Sequence, residues 1–191
     1  MNKDYIYNEF DQVIGLNIPI YKVNWYLISC QKLSESVIIQ FQDKVNWNFI
    51  SKYQTLSESF IREFDLEISD TNWLYKDSDY KLEKIKDCGL YEIDGDYIIA
   101  YKSVKTNGDS VYASSLYNYQ IGNTYESNAD FDIGEENSFG LSAWTKEKAK
   151  DYYSEGKILK VKIYKEDIAA LVQNENKIRC TKLTVIEEVK E

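Results

Sequence analysis

The chain contains no histidine among its 191 residues. That absence excludes Ser-His-Asp and Cys-His catalysis, histidine-ligated metals and a histidine pH switch. Arginine is nearly missing too: Arg62 and Arg179 stand alone in a chain of net charge −9. Few guanidinium forks are available to read phosphates or guanine edges, so direct nucleic-acid binding is not expected. The three cysteines, Cys30, Cys88 and Cys180, are far apart and form no CxxC. Such an odd, scattered set fits reduced thiols in a cytoplasm better than a disulfide framework, and it offers no metal site. No apolar run approaches the roughly 20 residues of a membrane span, and the opening residues do not read as a signal peptide. Neither GxxxxGK[ST] nor GxGxxG occurs, so no phosphate-cradling loop is expected.

What is present is a globular composition, 43% hydrophobic and 29% charged. The length suits one ordinary domain or two small ones. Glycine marks the organisation: none occurs between Gly15 and Gly89, and then they recur through Gly156. Glycine supplies the positive backbone angles of tight turns, so the Gly-free stretch reads as helices and the remainder as strands. This predicts an α+β protein, with a helical repeat region over 1–88 and an antiparallel-rich α+β domain over 89–191. Gly89 is the expected helix C-cap at the boundary.

The helical half carries a diverged repeat. Val23-Asn24-Trp25, Ile28-Ser29 and Gln31-Lys32-Leu33-Ser34-Glu35-Ser36 return as Val45-Asn46-Trp47, Ile50-Ser51 and Gln54-Thr55-Leu56-Ser57-Glu58-Ser59. Thr71-Asn72-Trp73 opens a third copy that soon departs from the pattern. Periods of this length indicate short helical hairpins stacked side by side. Asn24, Ser34, Asn46 and Ser57 suit N-caps, each flanked by an apolar staple: Val23/Ile28, Leu33/Ile38, Val45/Ile50 and Leu56/Ile61. The expected helices cover 24–31, 34–43, 46–53, 57–67 and 78–87, with another over 4–14. Trp25, Trp47 and Trp73 are read as core between repeats.

In the second half, Leu90–Ile93 and Asp96–Val104 around Asp94-Gly95 predict a hairpin with a type I′ turn. Further strands are expected over Ser110–Ser114, Tyr117–Ile121, Thr124–Ser127, Lys157–Tyr164 and Lys177–Glu187. Thr145 is expected to cap a helix over 146–153, and Glu166–Val172 reads as a short helix or turn.

Two stretches could carry function. Residues 106–145 hold Asp109, Glu126, Asp130, Asp132, Glu135 and Glu136 with no Lys or Arg, whereas 146–165 are Lys-rich. The two either screen each other or leave Glu126, Asp130, Asp132, Glu135 and Glu136 as an acidic face for a basic partner. Asn128, Asp130 and Asp132 share the opening spacing of a calcium loop, but Ile133 and Phe139 stand where Gly and Glu are required. The second stretch is Gly140-Leu141-Ser142-Ala143-Trp144-Thr145, a strand end entering a helix, where backbone N–H groups can face an anion.

Two resemblances follow from these residues. The repeat pattern, with Ile98-Ile99-Ala100-Tyr101-Lys102, Gly122-Asn123-Thr124-Tyr125-Glu126-Ser127, Glu136 to Trp144 and Lys177-Ile178-Arg179-Cys180, resembles uncharacterised repeat-bearing proteins of giant DNA viruses, phages and bacteria. That resemblance implies a viral, phage or mobile-element setting and no established activity. Separately, Ala100-Tyr101-Lys102 followed by Leu141-Ser142-Ala143 is similar to the small ADP-ribosyltransferases. There Lys102 stands at the place of an Arg or His, and Ser142 at that of a small hydroxyl residue. This resemblance implies NAD as cofactor, with Tyr101, Lys102, Ser142 and Trp144 as ligand-binding candidates and Lys102 and Ser142 as catalytic ones.

The expectation is therefore a non-enzymatic interaction protein that binds a host or defence protein as a counter-defence inhibitor, without a cofactor. The alternative is an NAD-binding ADP-ribosyltransferase-like enzyme or a decayed relative, and a further one is a small-ligand sensor. The enzyme-like alternative requires Lys102 and Ser142 to lie within about 10 Å of each other.

Overall fold

The computed structural model describes residues 23–112 and 116–190. The helix expected over 4–14 and part of the strand expected over Ser110–Ser114 lie outside the described residues. Two compact units divide the chain between Leu74 and Tyr75. The helix at 78–88 thus belongs with the sheet, ahead of the boundary read from glycine spacing.

The first unit contains α1 (Trp25–Ser29), α2 (Glu35–Gln40), α3 (Trp47–Tyr53) and α4 (Glu58–Glu63). Each begins at the cap its sequence provides. The side chains of Asn24, Ser34, Asn46 and Ser57 accept from the N–H groups of Leu27, Val37, Phe49 and Phe60. The staple residues then turn inward, and Val23, Ile28, Ile38, Val45, Ile50 and Leu56 join Phe41 and Phe60 in one apolar cluster. Trp25 meets Phe41 and Trp47 meets Phe64, both with ring centroids 4.9 Å apart. Gln54 is buried, with its Oε1 accepting from Leu33 N–H (2.9 Å) and its Nε2 donating to Ser29 O (2.9 Å) and Gln31 O (2.6 Å). The helices stop earlier than expected where local geometry intervenes. After α4, Asp65 takes φ +49° and Leu66 N–H donates to Ile61 O, the paired closure of a Schellman end.

The second unit opens with α5 (Ser78–Cys88), started by Asp77 and ended by Gly89 at φ +68°. The strands are β1 (Glu92–Asp94), β2 (Tyr97–Val104), β3 (Thr124–Glu126), β4 (Leu141–Trp144), β5 (Lys157–Tyr164), β6 (Ile168–Val172), β7 (Lys177–Cys180) and β8 (Lys182–Glu188). Thr145 caps α6 (Lys146–Tyr152), accepting from Lys148 N–H. On β5 the alternation holds: Leu159, Val161 and Ile163 are buried while Lys160 and Lys162 lie on the other face.

Several expectations change. Ile168–Val172 is a strand rather than a helix or turn, because all five residues are buried and only Lys165–Asp167 forms a helical turn before it. Tyr117–Ile121 forms no strand and contributes only an isolated bridge between Asp109 and Asn118. The closing strand breaks at Thr181, whose N–H donates to Asp167 O. In the first hairpin Asp94 pairs with Tyr97, so Gly95 and Asp96 form the loop. Gly95 has φ +61° and Asp96 has no positive φ, which excludes type I′.

The strands form an antiparallel sheet in the order β3-β8-β5-β2-β4-β7-β6, with β1 also on β2. Strand β2 pairs with β5 along its whole length. Its other edge is divided: β1 takes Tyr97–Ile99, and β4 meets it at one position, Tyr101 opposite Trp144. Past that point β2 and β4 part, and the separation positions the site.

Candidate functional site

A cleft of about 500 Å³ lies where β2 and β4 separate. Lys102, Ser142, Trp144, Lys177, Tyr119 and Tyr152 line it, together with Ser110, Tyr112, Tyr117 and the 137–141 segment. Lys102 follows Ile98 and Ala100 on the buried side of β2, which carries its ammonium into an apolar setting. Its Nζ donates to Ser142 O at 2.7 Å and lies 4.8 Å from the Tyr119 ring centroid and 5.6 Å from that of Trp144. Burial pushes the Lys102 ammonium down to about 8, and Lys177 adds repulsion.

Lys177 comes from β7, where it pairs with Trp144 of β4. Its Nζ lies 5.8 Å from the Trp144 centroid and donates to Glu136 O at 2.9 Å. Burial lowers its pKa, Arg179 lowers it further, and Glu136 opposes both. Lys102 and Lys177 are each 6% exposed. Neither forms an ion pair with a carboxylate among the described residues. Among the described residues, no Asp or Glu lines the cleft. Two desolvated ammonium groups thus stand on one aromatic ring, with Glu136 acting on Lys177 from outside the described lining, and make a locally positive cavity in an acidic protein.

The aromatic wall is ordered by its own contacts. Trp144 stacks on Tyr152 at 4.3 Å, and Tyr112 meets Tyr152 edge-on at 5.9 Å. Tyr119 packs against Tyr117 at 5.8 Å and Tyr125 at 4.6 Å. Burial raises the Tyr119 phenol and pushes that of Tyr152 up to about 12, so both remain neutral donors near neutral pH.

Arg179 fixes the segment that closes one side of the cleft. It is fully buried, and its Nη1 donates to Asp130 O (2.8 Å) and Asp132 O (3.3 Å), while Nη2 donates to Glu135 O. Gly140 permits this packing. It has φ +128°, and a Cβ there would fall 2.8 Å from Ala129 Cβ and 3.0 Å from Arg179 Cγ.

The sequence candidates are distributed unevenly. Lys102, Ser142 and Trp144 meet in the cleft, although the Lys102 bond is to the Ser142 carbonyl. Tyr101 does not line it, and Lys146 Nζ lies 5.9 Å from its ring. The acidic candidates do not form one face. Glu126 pairs with Lys182 at 2.8 Å. Asp130 is fully buried, its carboxylate accepting from Ser138 Oγ and Asp132 N–H. Asp132 is half-buried and accepts from Gly134 N–H, while Glu135 and Glu136 are exposed. Among the described residues, no three acidic or cysteine side chains converge as a metal ligand set.

Sequence reasoning did not select Lys177, Arg179, Tyr119 or Tyr152. The available signal was Lys177-Ile178-Arg179-Cys180, a strand charged at alternate positions, all four of which are buried. No protein-family model, curated protein or solved structure matches the chain.

Proposed function

We propose that the second unit binds a small anionic ligand carrying a planar ring, with a nucleotide such as NAD as the first candidate. The observation that carries this reading is the pair of buried ammonium groups, Lys102 and Lys177, beside Trp144, with no carboxylate among the described residues of the cleft lining. An anion would supply a counter-charge to Lys102 and add to that of Glu136 at Lys177, and a planar ring would stack on the Tyr and Trp wall. The similarity to small ADP-ribosyltransferases supports NAD or ADP-ribose within that class. Among the described residues the cleft lining offers no acid to assist transfer, which favours binding over catalysis.

A thermal-shift screen with NAD, ADP-ribose, mononucleotides and cyclic nucleotides tests the reading. Ligand at 100 times its dissociation constant stabilises the fold by about 2.7 kcal/mol. A flat screen would count against it.

The first unit favours a second role. Tyr26 (59% exposed), Leu27 (57%) and Ile39 (44%) leave apolar surface open among the helices. Read as helical-hairpin repeats of a viral, phage or mobile-element protein in a reducing cytoplasm, this surface would engage a host or defence protein. The exposed Glu136 would face the same or another basic partner. Capture of one host protein that is lost with Leu27→Asp but kept with Lys102→Met would support this role.

A further inference from the structure

The cleft amine has a chemical capacity that noncovalent binding does not use. Lys102 lines an open cleft, yet among the described residues its ammonium is held by a single acceptor, Ser142 O, and two aromatic faces. Among the described residues no carboxylate forms an ion pair with it. A lysine in such surroundings is the form that serves as an amine nucleophile toward carbonyl compounds. Lys177 stands on the same Trp144 ring, where its Nζ can meet an anionic group on the incoming molecule.

We propose that Lys102 forms an imine with an anionic aldehyde, its aromatic or sugar body lying along Trp144 and its anionic group held at Lys177. This rests on the anion-binding reading of the same cleft and adds a covalent step to it. The amine attacks the carbonyl carbon, giving a carbinolamine. Its hydroxyl then leaves as water, taking up a proton as the C=N bond forms. Overall, one ammonium and one aldehyde give one protonated imine and one water, with charge and atoms balanced and no oxidant or reductant consumed. The protonated imine keeps one N–H, which can still donate to Ser142 O. Burial lowers the proton affinity of Lys102, and the neutral amine needed for attack is consequently accessible near neutral pH.

Pyridoxal 5′-phosphate is a suitable probe because it combines an aldehyde, a planar ring and a phosphate. The whole chain is incubated with it, reduced with borohydride, and mapped by peptide mass spectrometry. Pyridoxal, which lacks the phosphate, and pyridoxine 5′-phosphate, which lacks the aldehyde, are run in parallel. The expected result is reduced adduct at Lys102, at least about tenfold above any surface lysine and above that given by pyridoxal. Pyridoxine 5′-phosphate should stabilise the protein and protect Lys102. Lys102→Arg should keep the stabilisation by pyridoxine 5′-phosphate and lose the adduct, and Lys177→Met should bring the phosphate and phosphate-free probes to equal labelling. Labelling spread over surface lysines, or equal labelling of wild-type Lys102 by pyridoxal, would overturn the imine proposal. If pyridoxine 5′-phosphate still stabilised the protein, anion binding would stand without the covalent step. Neither stabilisation nor protection would overturn both.

Discussion

Lys102 Nζ and Ser142 O lie 2.7 Å apart across the gap where β2 and β4 cease to pair. A side-chain donor thus joins two strands whose backbones have separated, and it also places a cation on the wall of the cleft. The same residue closes the sheet and charges the site. These two roles can be separated experimentally.

Replacement of Lys102 by Met should weaken anion binding at least about tenfold while changing stability little. The change removes the ammonium's desolvation cost and leaves Ser142 O short of a donor, two effects of opposite sign. Urea denaturation should show a difference of about 1 kcal/mol or less from wild type. A loss of several kcal/mol would make Lys102 primarily a structural tie.

Stability should rise with pH above about 8. Lys102 titrates at about 8 in the folded chain, against 10.5 ordinarily, and Lys81 is lowered similarly by burial. Below pH 8 both folded and unfolded chains hold the proton, so the burial cost is constant. Between 8 and 10.5 the unfolded chain holds more of the two lysine protons, so these groups favour folding as pH rises, while Cys180, pushed up to about 12 by burial, opposes them from about 9. Lys102→Met should remove about 2 kcal/mol of that rise between pH 7 and 9.5, as measured by denaturation at each pH. Ligand affinity should move oppositely, weakening above pH 8 as the cation is lost.

Gly156 approaches β2 so closely that a Cβ there would sit 1.9 Å from Val104 O. The obstacle is backbone and cannot swing aside. Gly156→Ala should therefore destabilise the protein by about 3 kcal/mol, at the upper end of overpacking costs. A change under about 0.5 kcal/mol in the urea midpoint would show that the β5 entry adapts freely.

In the first unit, Gln54→Ala should cost about 2–4 kcal/mol, because Leu33 N–H, Ser29 O and Gln31 O lose one shared partner. Thermal unfolding of the full chain reads this directly. Thr55→Ala, at an exposed neighbouring position, is the control and should have little effect.

Legibility in the sequence followed the range of the interactions. The caps at Asn24, Ser34, Asn46 and Ser57 and the C-cap at Gly89 act within a few residues, and each could be read from its neighbours. Asp65 could not: its positive φ reflects a helix end without glycine. Ile168–Val172 fits several structures by local pattern, and burial on both faces makes it a strand. The cleft was half legible. The 140–145 segment marked Ser142 and Trp144, but Lys177 joins Trp144 only through β4–β7 pairing. The acidic run was legible as composition and misleading as a surface, since Arg179 draws its carbonyls inward and Asp130 is buried.

The most direct test of the central claim is calorimetric affinity for the strongest nucleotide from the screen, measured on wild type, Lys102→Met and Lys177→Met at pH 7. Binding should be at least about tenfold weaker in each variant, equivalent to about 1.4 kcal/mol. Equal affinity in all three proteins would contradict the assignment of this cleft as an anion site.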